Sequence, residues 1–100
     1  MFRWLFGGSG IISPTEAKQL IARGAMLIDV RTPGEYAAGH VRGSRNIPLD
    51  QIERHIPELK KANKPVVLVC ASGNRSGRAT ALLQNAGIEA YNAGSWVNLR

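Results

Sequence analysis

The only cysteine of the chain is followed by small and polar residues that could activate its thiol. Small side chains and a glycine allow successive backbone N–H groups to turn inward and cradle an anion. The expected anion is a thiolate or persulfide on Cys70, held by the loop amides, the dipole of a following helix and an arginine. We therefore expect the pKa of this thiol to lie below its ordinary value of about 8.5. The predicted loop consists of Ala71, Ser72, Gly73, Asn74, Arg75 and Ser76.

A cysteine in this position could also be an inert packing residue. Four aliphatic residues, Val66 to Val69, come directly before Cys70, and free cysteines are among the most commonly buried residues. The Gly-Asn-Arg-Ser run at 73–76 lies at a predicted junction between a strand and a helix, where nucleophile loops are found. This context favours a reactive thiol over a packing residue.

The surrounding sequence predicts an α/β domain with a parallel sheet and helices on both of its faces. Apolar runs alternate with amphipathic segments, as in folds built from strand–helix–strand units. In such sheets, ligands bind beyond the carboxyl ends of the strands, which is where Cys70 is expected. Predicted strands are Ile11-Ile12, Met26–Val30, a short one at Ile47, Val66–Val69 and Ile88–Tyr91, and predicted helices begin at Ser13-Pro14 and cover Ser76–Ala86.

Two charged residues follow another predicted strand on the side of the sheet expected for the cysteine. Asp29 and Arg31 could face the loop as supporting residues. We favour a structural role, in which buried Asp29 accepts backbone N–H bonds and Arg31 pairs with Glu35. His40 is not expected to act as a general base, because a thiolate held by amides needs none.

Composition narrows the function classes. The chain has 100 residues, is 44% hydrophobic and has a net charge of +6, which fits one domain with affinity for anions. We expect an apolar tail over residues 1–10 and a domain over 11–100. Because the basic residues are scattered and aromatic residues are few, nucleic-acid binding is not expected. The apolar run in the first ten residues is too short for a signal-peptide core or a membrane span, and it lacks a typical cleavage pattern. We therefore expect a cytoplasmic protein and no membrane partner.

Several motifs together resemble the rhodanese homology domain, over about Ser13 to Trp96. The resemblance implies a five-stranded parallel sheet and a catalytic cysteine, Cys70, that takes sulfur from a donor such as thiosulfate and passes it to cyanide or a thiol. The matching motifs are Leu27-Ile28-Asp29-Val30-Arg31 with Glu35-Tyr36, Gly39-His40-Val41, Asn46-Ile47-Pro48-Leu49, Val66 to Ser76, Gly87-Ile88 and Gly94-Ser95-Trp96.

Loop length separates two chemistries within this resemblance. Related cysteine phosphatases and arsenate-reducing enzymes place five residues between Cys and Arg, whereas four separate Cys70 from Arg75. The shorter loop resembles the sulfurtransferase branch, so phosphatase activity is disfavoured. Many members have Arg directly after the cysteine, where this chain has Ala71. This departure reduces the positive charge that an anionic donor would meet.

The resemblance implies no metal and no cofactor other than the covalent persulfide on Cys70. With one cysteine in the chain, the persulfide must pass to an external acceptor, either a small molecule or a sulfur-carrier or thiol protein. One alternative is a non-catalytic docking or regulatory module of the same fold. Another is a fragment of a larger protein. The oligomeric state is not determined by the sequence.

Overall fold

The structure is a computed structural model that describes residues 10–100. The expected apolar tail at residues 1–10 therefore lies outside the described residues except for Gly10. Two 3₁₀ helices, Leu49–His55 and Trp96–Asn98, accompany the main elements. The helices are α1 (Pro14–Ala22), α2 (Pro33–Ala38), α3 (Ile56–Ala62) and α4 (Asn74–Asn85), and the strands are β1 (Met26–Asp29), β2 (Arg45–Asn46), β3 (Val66–Cys70) and β4 (Ala90–Ser95).

The described residues form a four-stranded parallel sheet in the order β2-β1-β3-β4. The prediction of an α/β domain with a parallel sheet is confirmed, but the prediction of five strands is wrong. The predicted first strand, Ile11-Ile12, makes a single bridge from Ile11 to Asn92 of β4. The chain then enters α1 through its cap residue, Ser13, so little length remains for pairing.

Helices cover both faces of the sheet, as predicted. This burial on two sides explains why the sequence of β3 is continuously apolar. Val66, Leu68 and Cys70 point to a core cluster shared with α3 and α4, whereas Val67 and Val69 point to a second cluster shared with α1. All five residues of β3 are fully buried. A strand with both faces covered has no exposed side on which polar residues would be favoured.

Capping residues set where the short helices begin. Ser13 and Glu16 form a reciprocal capping box at α1, and Thr32 and Glu35 form the same motif at α2. Such pairs satisfy the free N–H groups of a first helical turn. Among the described residues, no helix has both the length and the apolar composition needed to cross a membrane.

The last strand begins later than the sequence predicts. Ile88 donates its backbone N–H to Leu83 at the end of α4, so it completes the helix end instead of pairing in the sheet. The strand β4 therefore runs from Ala90 to Ser95. This shift places Asn92 inside the strand, next to the loop that follows Cys70.

Candidate active site

Cys70 is the last residue of β3, and its side chain lies beneath the loop that leads into α4. The residue has 0% exposed surface. Ala71 and Ser72, directly after it, are exposed, whereas Gly73 and Ser76 are buried. The loop is thus a thin layer between the sulfur atom and solvent.

Two hydrogen bonds point at the sulfur. The backbone N–H of Gly73 donates to Cys70 Sγ at 2.9 Å, and the hydroxyl of Ser76 donates at 3.2 Å. Gly73 is also the N-cap of α4, a helix of 12 residues whose amino terminus carries partial positive charge. Two residues of the predicted loop, Gly73 and Ser76, thus donate hydrogen bonds to the sulfur.

The donors outweigh the effect of burial on the thiol. Burial is the largest single influence and raises the pKa of Cys70, because a charged sulfur loses hydration. The Ser76 hydroxyl and the backbone N–H groups of Ser76, Gly73 and Ser72 each lower the pKa, and the net result lies below the ordinary value. The site therefore shifts the equilibrium towards the thiolate, which is the nucleophilic form of cysteine.

Gly73 is required by the shape of the loop. Its φ angle is +106°, and a Cβ there would lie 2.9 Å from the end of the Ile11 side chain. A left-handed backbone costs a residue with a Cβ roughly 1–2 kcal/mol. Glycine at this position lets the backbone turn so that its N–H faces Cys70 Sγ.

Arg75 is in the predicted loop, but its guanidinium is held by a carboxylate and not by the sulfur. It donates to both oxygens of Glu35, at 2.7 and 3.0 Å. The hydrogen bond with Glu35 is the main cause that raises the pKa of Arg75, and the charge on Cys70 also contributes. Arg75 therefore contributes long-range positive charge to the thiolate. Asn74, the remaining loop residue, is exposed at the start of α4.

Asp29 and Arg31 form a closed ion pair at the end of β1. The shortest contact joins Arg31 Nη2 to Asp29 Oδ2 at 2.7 Å, and Asp29 Oδ1 also accepts from the Arg31 backbone N–H. The expected bond to a backbone N–H is present, but the expected pairing of Arg31 with the Glu35 carboxylate is wrong. Arg31 instead donates to the carbonyl oxygens of Gly39 and Glu35, with its guanidinium 4.4 Å above the Trp96 ring.

His40 and His55 have partners away from the sulfur. His40 stacks on Tyr36 with ring centroids 3.8 Å apart, and its Nδ1 contacts the Tyr36 carbonyl oxygen. His55 Nδ1 contacts a carboxylate oxygen of Glu58. Both contacts are local, which fits structural roles for the two imidazoles.

Asn92 belongs to the site but was not predicted from the sequence. Its Oδ1 lies 2.7 Å from the Ser76 hydroxyl oxygen, and its Nδ2 donates to the Gly73 carbonyl oxygen at 3.0 Å. Its position depends on how β4 aligns with the loop, and no local motif marks it. Finding Asn92 would have required the register of β4 against β3, which is known only from the structure.

A groove of about 620 Å³ opens beside Arg75, but Cys70 does not line it. Leu49 and Leu82 contribute apolar surface, and Arg78 and Glu53 lie at its charged positions. The groove and the sulfur are therefore separate features that share only the loop residue Arg75. The hydrogen-bond geometry around Sγ, and not this groove, defines the candidate site.

A family profile described as the rhodanese-like domain matches residues 13–98. This range contains the sheet, the loop and both residues that donate hydrogen bonds to Cys70 Sγ. The chain belongs to the rhodanese-like domain family. The resemblance found in the sequence motifs is thereby confirmed, and the parallel sheet is the framework of a rhodanese-like domain.

Curated relatives of this rhodanese-like domain are similar over most of its length. The protein YqhL of Bacillus subtilis is 48% identical over 71 residues, which are 70% of this chain and 56% of YqhL. Thiosulfate sulfurtransferase GlpE of Pseudomonas paraeruginosa is 40% identical over 70 residues, which are 70% of this chain and 63% of GlpE. The matched region thus spans less than two thirds of each of these relatives.

A solved structure covers more of the domain. The human single-domain sulfurtransferase TSTD1 superposes with a TM-score of 0.70 at 30% identity, covering 93% of this chain and 99% of TSTD1. This likeness extends the rhodanese-like framework to almost every described residue.

Proposed function

We propose that the protein is a sulfurtransferase that moves sulfane sulfur from a donor such as thiosulfate to an acceptor such as cyanide or a thiol. The carrier is a persulfide on Cys70. The observation that supports this most is the direct donation of the Gly73 N–H and the Ser76 hydroxyl to Cys70 Sγ. Similarity to GlpE, which is named a thiosulfate sulfurtransferase, suggests the donor.

The first step loads the cysteine. The Cys70 thiolate attacks the outer sulfur of thiosulfate, so that a new S–S bond forms. The S–S bond within thiosulfate breaks, and sulfite leaves with the electron pair. The outer sulfur of the resulting persulfide carries the negative charge. The N–H groups of the loop and the amino terminus of α4 stabilise this charge.

The second step returns the cysteine to its starting form. The acceptor attacks the outer sulfur, and cyanide becomes thiocyanate as the bond to Cys70 Sγ breaks. The electron pair returns to Sγ, where Gly73 and Ser76 again donate to a thiolate. Because the chain has one cysteine, the acceptor is external, either a small molecule or a thiol or sulfur-carrier protein.

The loop residues have separate tasks in this proposal. Ala71 and Ser72 lie on the exposed side, where a donor arrives, and Arg75 supplies positive charge nearby. Gly73 and Ser76 hold the sulfur directly. Asp29 and Arg31 fix the end of β1 without contacting the reacting atoms.

One observation favours a second candidate, a docking or regulatory module of the same fold. Cys70 has no exposed surface, so a donor must displace part of the thin loop before it reaches Sγ. Such a module would present the exposed loop to a partner without sulfur transfer. Its Cys70 would form no persulfide.

Intact mass separates the two candidates. Incubation with thiosulfate should add one sulfur atom to the wild-type protein, and later cyanide should remove it as thiocyanate. Cys70→Ser removes the nucleophile, and should abolish the mass gain and transfer while leaving the unfolding temperature nearly unchanged. An equal mass gain in the variant would exclude Cys70 as the carrier. The absence of any gain in the wild type, with several sulfane donors, would favour the docking module.

A further inference from the structure

The side chain of Asn92 makes two contacts with the loop around Cys70 and one hydrogen bond within its own strand, β4. The residue is 8% exposed. Its Nδ2 donates to the Gly73 carbonyl oxygen at 3.0 Å, and its Oδ1 accepts from the Gly94 N–H at 2.9 Å and from the Ser76 hydroxyl at 2.7 Å. Because a backbone N–H can only donate, the contact with Gly94 fixes which end of the amide is oxygen.

The Ser76 hydroxyl has two acceptors and one proton. Its oxygen lies 3.2 Å from Cys70 Sγ and 2.7 Å from Asn92 Oδ1, and both distances are ordinary for hydrogen bonds of their type. A serine hydroxyl has a single O–H and can donate to only one of them at a time. The charge on the sulfur decides which acceptor is the stronger.

The two charge states of Cys70 therefore call for different hydrogen bonds. A neutral thiol can donate its own proton to the Ser76 oxygen, which leaves the Ser76 proton for Asn92 Oδ1. A thiolate has no proton and attracts the hydroxyl, since hydrogen bonds to an ionised acceptor are about twice as strong as neutral ones. Asn92 Oδ1 then retains its bond from the Gly94 N–H.

We propose that Asn92 is a positioning residue that competes with Cys70 for the Ser76 hydroxyl proton, so that this hydrogen bond follows the charge on Sγ. Ser76 donates to Sγ in the thiolate and to Asn92 Oδ1 when Sγ is neutral. On ionisation the thiol proton goes to solvent. In the persulfide form of Cys70, Sγ is the uncharged inner sulfur, so Ser76 again donates to Asn92 Oδ1. This persulfide extension of the inference rests on the proposed function.

The packing around Asn92 keeps its amide in place. A Cβ on Gly77, in the first turn of α4, would lie 3.2 Å from Asn92 Nδ2. The absence of a side chain at Gly77 therefore provides room for the amide between β4 and α4. With both of its ends held, the Asn92 amide stays still while the Ser76 hydroxyl rotates.

Two ion pairs hold four of the charged groups on the neighbouring elements. From β1 and the turn after it come Asp29 and Arg31, joined at 2.7 Å. From α2 and α4 come Glu35 and Arg75, also joined at 2.7 Å. Arg78, the other charged residue of α4, is exposed beside the groove. Substitutions at Asn92 and Ser76 leave all five of these charged groups unchanged.

A double-mutant cycle measures the competition without any sulfur donor. The thiol pKa is obtained from the pH dependence of Cys70 alkylation in the wild type, Asn92→Ala, Ser76→Ala and the double variant. Asn92→Ala removes the bond to Gly73 in both backgrounds, but it removes a competing acceptor only where Ser76 is present. Asn92→Ala should therefore shift the thiol pKa further downward in the wild-type background than in the Ser76→Ala background.

The expected difference between the two backgrounds is at least about half a pKa unit, or roughly a threefold change in the ionisation equilibrium. If Asn92 had a purely structural role, Asn92→Ala would loosen the loop and shift the thiol pKa equally in both backgrounds. Equal shifts, or a difference of opposite sign, would overturn the proposal.

Nuclear magnetic resonance of the wild-type protein gives a second test if a variant does not fold. The Gly94 N–H signal should move as Cys70 ionises, because the Ser76 hydroxyl proton leaves Asn92 Oδ1, the acceptor that it shares with the Gly94 N–H. The side-chain amide of Gln84, which donates to Ala90, is a control that should not titrate. A Gly94 signal that stays fixed while the Gly73 signal moves would refute the proposal.

The loaded protein separates this inference from the proposed function. After thiosulfate treatment, the Gly94 signal should return to its position in the thiol form, since Sγ is again neutral. A Gly94 signal that matches the thiolate form in a protein that has gained one sulfur atom would overturn the persulfide extension. Failure to gain sulfur would contradict the proposed function and leave the titration result intact.

Discussion

At the carboxyl edge of the sheet, β1 ends in a buried carboxylate and the neighbouring β3 ends in a buried sulfur. Asp29 and Cys70 both have 0% exposed surface. Arg31 neutralises Asp29 at 2.7 Å, whereas the contacts of Cys70 Sγ come from an N–H and a hydroxyl without full charge. A carboxylate that is paired with its counter-charge can shape the site, whereas a sulfur surrounded by neutral donors can ionise and also react.

The difference also separates stability from reactivity. Removing one member of a buried ion pair leaves an uncompensated charge, which affects folding strongly. Removing one donor from the sulfur changes the balance between thiol and thiolate and has a smaller effect on folding. Substitutions at the two strand ends should therefore change different measured quantities.

The largest expected effect is on stability, at the end of β1. Asp29→Ala leaves the Arg31 guanidinium buried without its partner, and should lower the free energy of unfolding by about 3–5 kcal/mol. Urea unfolding measures this loss, and the variant that remains folded should still form a persulfide. The exposed Asp50 provides a matched control, since Asp50→Ala should change stability by less than about 0.5 kcal/mol. Equal stability of the two variants would refute the structural role of Asp29.

The second test compares two glycines with the same backbone conformation. Gly73 and Gly24 have φ angles of +106° and +107°, and a Cβ on Gly24 would meet nothing within 4 Å. Alanine at either position should cost roughly 1–2 kcal/mol, because both require a left-handed backbone. The end of the Ile11 side chain, which is 55% exposed, can move away from a new methyl group at position 73.

The thiol pKa should distinguish these two glycine variants. Gly73→Ala alters a loop whose N–H donates to Cys70 Sγ, so the thiolate loses stabilisation and the pKa rises. Gly24→Ala should leave the pKa unchanged, because Gly24 lies just after α1. Alkylation of Cys70 against pH and thermal unfolding should be measured on both proteins. Similar unfolding with the same pKa in both variants would contradict the role of the Gly73 N–H.

Local sequence was enough to predict the parts of the site that follow one another along the chain. Cys70, Gly73 and Ser76 lie within seven residues, and a glycine-containing turn before a helix brings their groups together. The partners from distant segments were missed or wrong. Glu35 was paired with Arg31, although its carboxylate binds Arg75, and Asn92 was not identified.

The errors share a physical origin. Both partnerships depend on which strand ends and helices become neighbours, and hydrophobic patterns do not determine that alignment to a single residue. The strand predicted at positions 11 and 12 is wrong for a related reason. The sequence predicted both this strand and the helix cap at Ser13, but only packing determines that the chain makes a single bridge before the helix begins. The periodicity of the sequence predicts elements, whereas contacts between distant residues depend on packing.

The smallest expected effect concerns the charge of Arg75, a residue of the Cys70 loop, and its partner Glu35. Glu35 binds Arg75 in a half-exposed pair, and this bond is the main cause that lowers the pKa of Glu35 to about 2. The pair therefore stays ionised throughout the range in which the thiol titrates. Glu35→Gln keeps a residue that can complete the capping box of α2 but removes the negative charge that offsets Arg75.

The less compensated Arg75 should favour the thiolate and lower the pKa of Cys70 by a few tenths of a unit, with a stability change below about 1 kcal/mol. Added salt should reduce the shift, because salt screens exposed charges. Glu58→Gln is a matched control, since Glu58 forms a similar exposed pair with Arg45 at 2.6 Å that includes no residue of the Cys70 loop. The pH dependence of alkylation at low and high salt measures both variants. A pKa that does not move in Glu35→Gln, or moves equally in Glu58→Gln, would leave the thiolate dependent on its neutral donors alone.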